Sequence, residues 1–164
     1  MHAIWLTFSK NDRDYLKKII DGLAKKYQAR KFEPHITVYG LIASKISLID
    51  NIVKEASLNC NSCIVKKSKI LQSEELWKTA YIELEMNKQL EVIYENLEKH
   101  FAKIVKYEFR PHISLIYKIL SLEEKIKIIN ELDIKKEFTI NKLVIQKFFP
   151  DIKKWEIIKK YNLM

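Results

Sequence analysis

The chain has 164 residues, 48% of them hydrophobic and 31% charged, the proportions of a soluble globular protein with a sizeable core. No apolar run approaches the roughly 20 residues that span a bilayer, and the N-terminus lacks the basic-then-apolar pattern of a secretory signal, so a cytoplasmic protein without a membrane partner is expected. The net charge of +9 is carried by lysines apart from Arg13, Arg30 and Arg110, in scattered pairs such as Lys25-Lys26 and Lys153-Lys154. Readers of nucleic acid favour arginine forks and interleaved aromatics, so this charge reads as a solvated surface that also draws in a phosphorylated ligand.

Residues 2–8 alternate as a strand, with Ile4, Leu6 and Phe8 on one face and Ala3, Trp5 and Thr7 on the other. Asn11, with Asp14 three residues on, is expected to start a helix to about Tyr27, its apolar stripe built from Leu16, Ile19, Ile20 and Leu23. His35 to Tyr39 reads as a strand, and Ser47 to about Leu58 as a helix with Leu48, Ile49, Ile52 and Val53 inward. Two strands near 63–72 and 78–85 follow, then a helix from Asn87 to Phe101. His112 to Tyr117 is again a strand, and Ser121 with Glu124 forms a capping box opening a helix to about Leu132. Phe138 to Phe148 and Lys154 to Tyr161 make a closing pair of strands, with Pro150-Asp151 in the turn between them. This schedule predicts a single α+β domain over residues 1–164, made of two small sheets.

Several chemistries are excluded by what the chain lacks. Gly22 and Gly40 are its two glycines, so no glycine-rich phosphate loop can be built. Cys60 and Cys63 form a lone Cys-x-x-Cys with no second pair of zinc ligands, and they close a helix rather than open one. They read as ordinary cysteines. No carboxylate cluster offers to hold a metal, and no cofactor is called for.

One motif is duplicated. Phe32-Glu33-Pro34-His35-Ile36-Thr37 returns as Phe109-Arg110-Pro111-His112-Ile113-Ser114, one copy in each half, with Thr replaced by another hydroxyl. On a strand, side chains at i and i+2 share a face. His35 and Thr37 therefore point together, as do His112 and Ser114, while Ile36, Val38, Ile113 and Leu115 point into the core. Each Pro before the His forces an extended entry to the strand. Two imidazoles facing one cleft suit breakage of a phosphodiester: one takes a proton from water, the other gives one to the leaving alkoxide. The two hydroxyls would hydrogen-bond the nonbridging oxygens as charge builds there. Which His is base and which acid is left open by two motifs so nearly alike.

The paired motifs resemble the 2H phosphoesterase superfamily, and within it the cyclic phosphodiesterases of plants and yeast. Ala3-Ile4-Trp5-Leu6 is similar to that family's first strand, and Pro111 to Tyr117 to its second motif. Leu120 to Lys125 resembles the helix start that follows, and Lys154-Trp155-Glu156 the closing strand, whereas residues 59–86 show little match. The resemblance implies two pseudo-symmetric lobes, each an antiparallel sheet with helices outside, around a central cleft. It implies His35, Thr37, His112 and Ser114 as catalytic, Trp5 and Tyr117 as substrate contacts, and no metal. Trp155 is read as core; Trp77, in the unmatched stretch, as either core or a lid over the cleft.

The activity so implied is metal-independent opening of a small cyclic phosphate, either ADP-ribose 1″,2″-cyclic phosphate or a nucleoside 2′,3′-cyclic phosphate, with no obligate protein partner. A second reading keeps the chemistry and changes the substrate to RNA ends or cyclic oligonucleotides. A third is a protein that binds a cyclic nucleotide without cleaving it.

Overall fold

The computed structural model describes residues 1–164. Seven strands and four helices follow in the order β1 (His2–Phe8), α1 (Lys10–Tyr27), β2 (Ile36–Ile42), α2 (Ile46–Leu58), β3 (Cys63–Gln72), β4 (Ala80–Leu84), α3 (Lys88–Phe101), β5 (His112–Ile116), α4 (Leu122–Glu131), β6 (Glu137–Lys147) and β7 (Glu156–Asn162). All the strand pairs are antiparallel.

In place of the two small sheets expected from the sequence, the strands form one seven-stranded hydrogen-bonded sheet that divides into two halves. One half runs β2-β1-β6-β7 and the other β3-β4-β5. Strand β3 belongs to both: Cys63–Lys66 pairs with β6, and Lys67–Gln72 with β4. A register break between Lys67 and Lys69 lets the strand turn from one half to the other.

The helices knit the halves together. α2 packs on β6 and β7, and α4 on β3 and β4. α1, which follows β1, packs on β1 and reaches β5 of the other half, while α3, which follows β4, lies on β2. Each half thus carries a helix from the other. A single cluster of 36 buried hydrophobic residues consequently runs through both lobes, with Ile4, Leu16, Ile36, Ile82, Ile113 and Ile145 among those wholly covered.

Local chemistry explains the element ends. The expected start of α1 moves: Ser9, not Asn11, is its N-cap, with Ser9 Oγ accepting from the Asp12 amide. Asp12 is instead buried, and its carboxylate accepts from the Thr139 amide and pairs with Lys135, tying α1 to β6. Ser121 and Glu124 form the predicted capping box of α4. In α2, Ile49, Ile52 and Val53 face inward as expected, but Leu48 is 46% exposed. With Ile49 and Ile52 buried, the neighbouring Leu48 falls outside the apolar stripe.

Candidate active site

The repeated motifs meet across the two halves. β2 begins at Ile36 and β5 at His112, so both histidines stand at strand entrances where the preceding prolines hold the chain extended. Both rings are anchored in the same way. His35 Nδ1–H donates to the Glu33 carbonyl at 2.7 Å, and His112 Nδ1–H to the Arg110 carbonyl at 2.8 Å. A carbonyl can only accept, so in the neutral ring Nδ1 carries the proton and Nε2 keeps its lone pair. Each imidazole is thereby turned into a group that can take or give a proton at Nε2.

Cross-strand pairing repeats as well. Trp5 lies opposite Thr37 across β1 and β2, and its ring stacks on His35 with centroids 3.6 Å apart and planes 9° apart. Tyr81 lies opposite Ser114 across β4 and β5, and its ring meets His112 edge-on at 5.6 Å. An aromatic residue thus braces each histidine from the neighbouring strand. Tyr81 carries no motif of its own in the sequence; only the register of β4 on β5 reveals it.

A cleft of about 590 Å³ opens between the halves, within the usual range of small-molecule sites. His35, Thr37, His112, Ser114, Trp5 and Tyr117 all line it. The four catalytic candidates therefore share one cavity. Trp77, Phe148 and Trp155 complete an aromatic wall. Trp155, expected in the core, stands in this wall and contacts Trp5 at 5.6 Å, while its indole N–H donates to the Phe149 carbonyl. The turn at 152–154, which precedes β7, lifts it out of the sheet. Gln146, missed in the sequence, lies fully buried at the floor, its amide nitrogen donating to the Lys147 carbonyl and its oxygen without a protein partner.

The two hydroxyls are not equivalent. Thr37 Oγ1 makes no hydrogen bond within the protein, whereas Ser114 Oγ donates to the Trp77 carbonyl at 2.6 Å. The histidines differ too. His35 is 7% exposed, and burial pushes its pKa down to about 4. The pKa of His112 is also lowered, chiefly by burial and further by Lys78, with the Arg110 carbonyl and Glu75 opposing.

The rim is cationic on balance. Lys78 Nζ sits 4.5 Å from the Tyr81 ring centroid, and Lys106 faces the same opening. Arg110 is paired with Glu108 at 2.9 Å, an exposed pair of small energetic weight. No group of three or more His, Cys, Asp or Glu side chains converges on a metal-sized site.

The architecture is the fold of the 2H phosphoesterases. Similar architecture occurs in solved structures that share little sequence with this chain. Escherichia coli LigT complexed with 3'-AMP superposes with a TM-score of 0.64 at 12% identity, covering 99% of this chain and 96% of that one. A structure described as a phosphoesterase gives 0.66 at 12% identity, covering 99% and 97%. The protein TT0787 of Thermus thermophilus gives 0.64 at 10%, again covering 99% and 97%. No curated protein matches the chain by sequence. The chain belongs to the family of cyclic phosphodiesterase-like proteins, whose model matches residues 1–163.

Proposed function

We propose that this protein is a metal-independent cyclic phosphodiesterase that opens a small cyclic phosphate to a monoester. The observation that carries the reading is the pair of histidines, His35 and His112, lining one cleft with Nδ1 tied to backbone, which leaves proton exchange to Nε2, held in His35 within 3.5 Å of the Tyr117 hydroxyl. Water attacks phosphorus as one imidazole accepts its proton at Nε2. The ring P–O bond breaks as the other imidazole protonates the departing oxygen. The phosphate stays on the substrate as a monoester, and the two histidines end with their protonation states exchanged. Thr37, whose hydroxyl is free, donates to a nonbridging oxygen, and Ser114 donates to another by turning its single O–H from the Trp77 carbonyl to the phosphate.

ADP-ribose 1″,2″-cyclic phosphate and nucleoside 2′,3′-cyclic phosphates are the proposed substrates. A nucleotide ligand is supported by the E. coli LigT structures with 3'-AMP, NADP+ and ATP, which share this fold. We place the protein in the cytoplasm, where Cys60 and Cys63 stand as free thiols; no helix is long and apolar enough to cross a membrane.

The test is a substrate panel assayed in EDTA. Wild type should turn over at least one cyclic phosphate, and His35→Ala and His112→Ala should each lower kcat by about 10² or more. Loss of activity in EDTA, or a variant that keeps it, sinks the scheme. Tight binding without turnover would mark a sequestering protein instead.

A further inference from the structure

We propose that Trp77 is the stacking surface for a nucleobase, so that this site selects cyclic phosphates bearing a planar base over base-free ones. The inference rests on the phosphodiesterase reading above and names its substrate class.

The aromatic residues of the cleft differ in what they can still offer a ligand. Trp5 is 3% exposed, with its ring stacked on His35. Tyr117 is 7% exposed, with its ring stacked on Phe32 at 3.8 Å. Trp77 is 36% exposed. It meets Tyr117, Phe148 and Trp155 only in perpendicular or tilted arrangements, at 5.1, 6.0 and 5.6 Å, and no ring is stacked on it. A flat apolar ring entering the cleft finds its open partner there.

The segment carrying Trp77 is held firmly. It connects β3 to β4 and includes a short 3-10 turn at Leu76–Lys78. Ser73 Oγ donates to the Lys78 carbonyl at 2.6 Å, and Thr79 Oγ1 to the Lys118 carbonyl at 2.8 Å. From α4, the Lys125 side chain, 1% exposed, donates to the Ser73 carbonyl at 3.1 Å and to Glu74 Oε1 at 2.6 Å. A buried ammonium is tolerated only where its hydrogen bonds are satisfied, and here its partners belong to this loop. The indole is therefore preorganised, which lowers the ordering cost of binding.

Position links the indole to the reaction. The Trp77 carbonyl accepts from Ser114 Oγ, a hydroxyl assigned to the phosphate. The Trp77 indole and the Ser114 hydroxyl line the same cleft, so one small molecule can present a ring to the first and a phosphate to the second. Base–aromatic stacking changes affinity by roughly 10- to 100-fold.

The experiment compares adenosine 2′,3′-cyclic phosphate with base-free glycerol 1,2-cyclic phosphate in wild type, Trp77→Ala, Trp77→Phe and Lys125→Met. Trp77→Ala keeps the backbone carbonyl on Ser114, so it isolates the ring. It should lower the ratio of kcat/KM between the two esters by roughly 10- to 100-fold, through KM. Trp77→Phe should restore most of that ratio, and Lys125→Met should lower it while raising quenching of Trp fluorescence by acrylamide. In parallel, the Kd of adenosine 2′-monophosphate against that of glycerol 2-phosphate should show the same loss in Trp77→Ala. A ratio and a Kd preference unaltered in Trp77→Ala overturn the proposal. If wild type hydrolyses neither ester, the assignment of nucleoside 2′,3′-cyclic phosphates as substrates falls, and the Kd comparison still decides the role of Trp77.

Discussion

Tyr117 stands five residues after His112, and Gly40 stands five residues after His35, so a tyrosine in one copy of the repeat answers a glycine in the other. Tyr117 reaches across the cleft, stacks on Phe32 of the first copy and brings its hydroxyl within 3.5 Å of His35 Nε2. At Gly40 the ring of Tyr107 fills the space instead, and its hydroxyl donates to the Thr37 carbonyl at 3.3 Å. His35 is thus covered by Trp5 and Tyr117. For His112 the ring contact is Tyr81, edge-on. A near-symmetric sequence repeat becomes an asymmetric pair of histidines.

That asymmetry predicts a pH profile. Burial lowers both imidazole pKa values, that of His35 to about 4 and that of His112 from its ordinary value. A scheme needing one neutral and one protonated imidazole works between them, because both rings are protonated below and both are neutral above. kcat/KM should rise through pH ~4 and peak on the acid side of neutrality. Of the two variants, His35→Ala and His112→Ala, the one whose residual activity loses the rising limb identifies the base, and the one that loses the falling limb the acid. A maximum above about pH 8 contradicts the paired mechanism.

The same burial makes stability depend on pH. His35 binds a proton more readily unfolded, near 6.5, than folded, at about 4. The unfolded state therefore takes up the extra proton in this window, and the contribution of neutral His35, complete above pH 6.5, is lost as pH falls toward 4. At 1.36 kcal/mol per pKa unit the loss is about 3 kcal/mol. Urea unfolding of wild type and His35→Gln at several pH values should show a shallower slope for the variant between these limits. Parallel slopes would place the titration elsewhere.

The hydroxyls should separate by chemistry rather than by size. Thr37→Ala removes a donor with no other partner in the protein and should cost about 2–4 kcal/mol of transition-state stabilisation, read from kcat/KM. Thr37→Ser should cost much less, because the O–H survives. Ser114→Ala should show a similar loss in kcat/KM, and it also deprives the Trp77 carbonyl of its donor. Equal damage from Thr37→Ser and Thr37→Ala would show that the methyl, not the hydroxyl, matters.

Gly40 is needed for space. A Cβ there would lie 3.1 Å from Tyr107 Cε2 and 3.6 Å from Thr37 Cγ2. Gly40→Ala should destabilise the fold by about 1–3 kcal/mol through overpacking. In a Tyr107→Ala background most of that cost should vanish, as a double-mutant cycle would report. A cost that persists undiminished would mean that the glycine serves something other than the tyrosine.

Much of this architecture is legible along the chain, because strand alternation, helix stripes and caps depend on near neighbours. Ile4, Leu6 and Phe8 alternate inward, Ser121 and Glu124 close their box, and His35 with Thr37 share a side because i and i+2 must. The duplicated motif likewise announces paired histidines before any coordinates. What the tertiary structure alone decides comes from contacts distant in sequence. The register of β4 on β5 sets Tyr81 beside Ser114, the turn before β7 takes Trp155 from the expected core into the cleft, and Lys125 pins the loop that presents Trp77. Burial of one histidine more than the other also belongs here, since Tyr117 acts on His35 from 82 residues away. Periodicity encodes which way a side chain points relative to its own backbone; it carries no information on which distant surface it will meet, and the asymmetry of this site is made of such meetings.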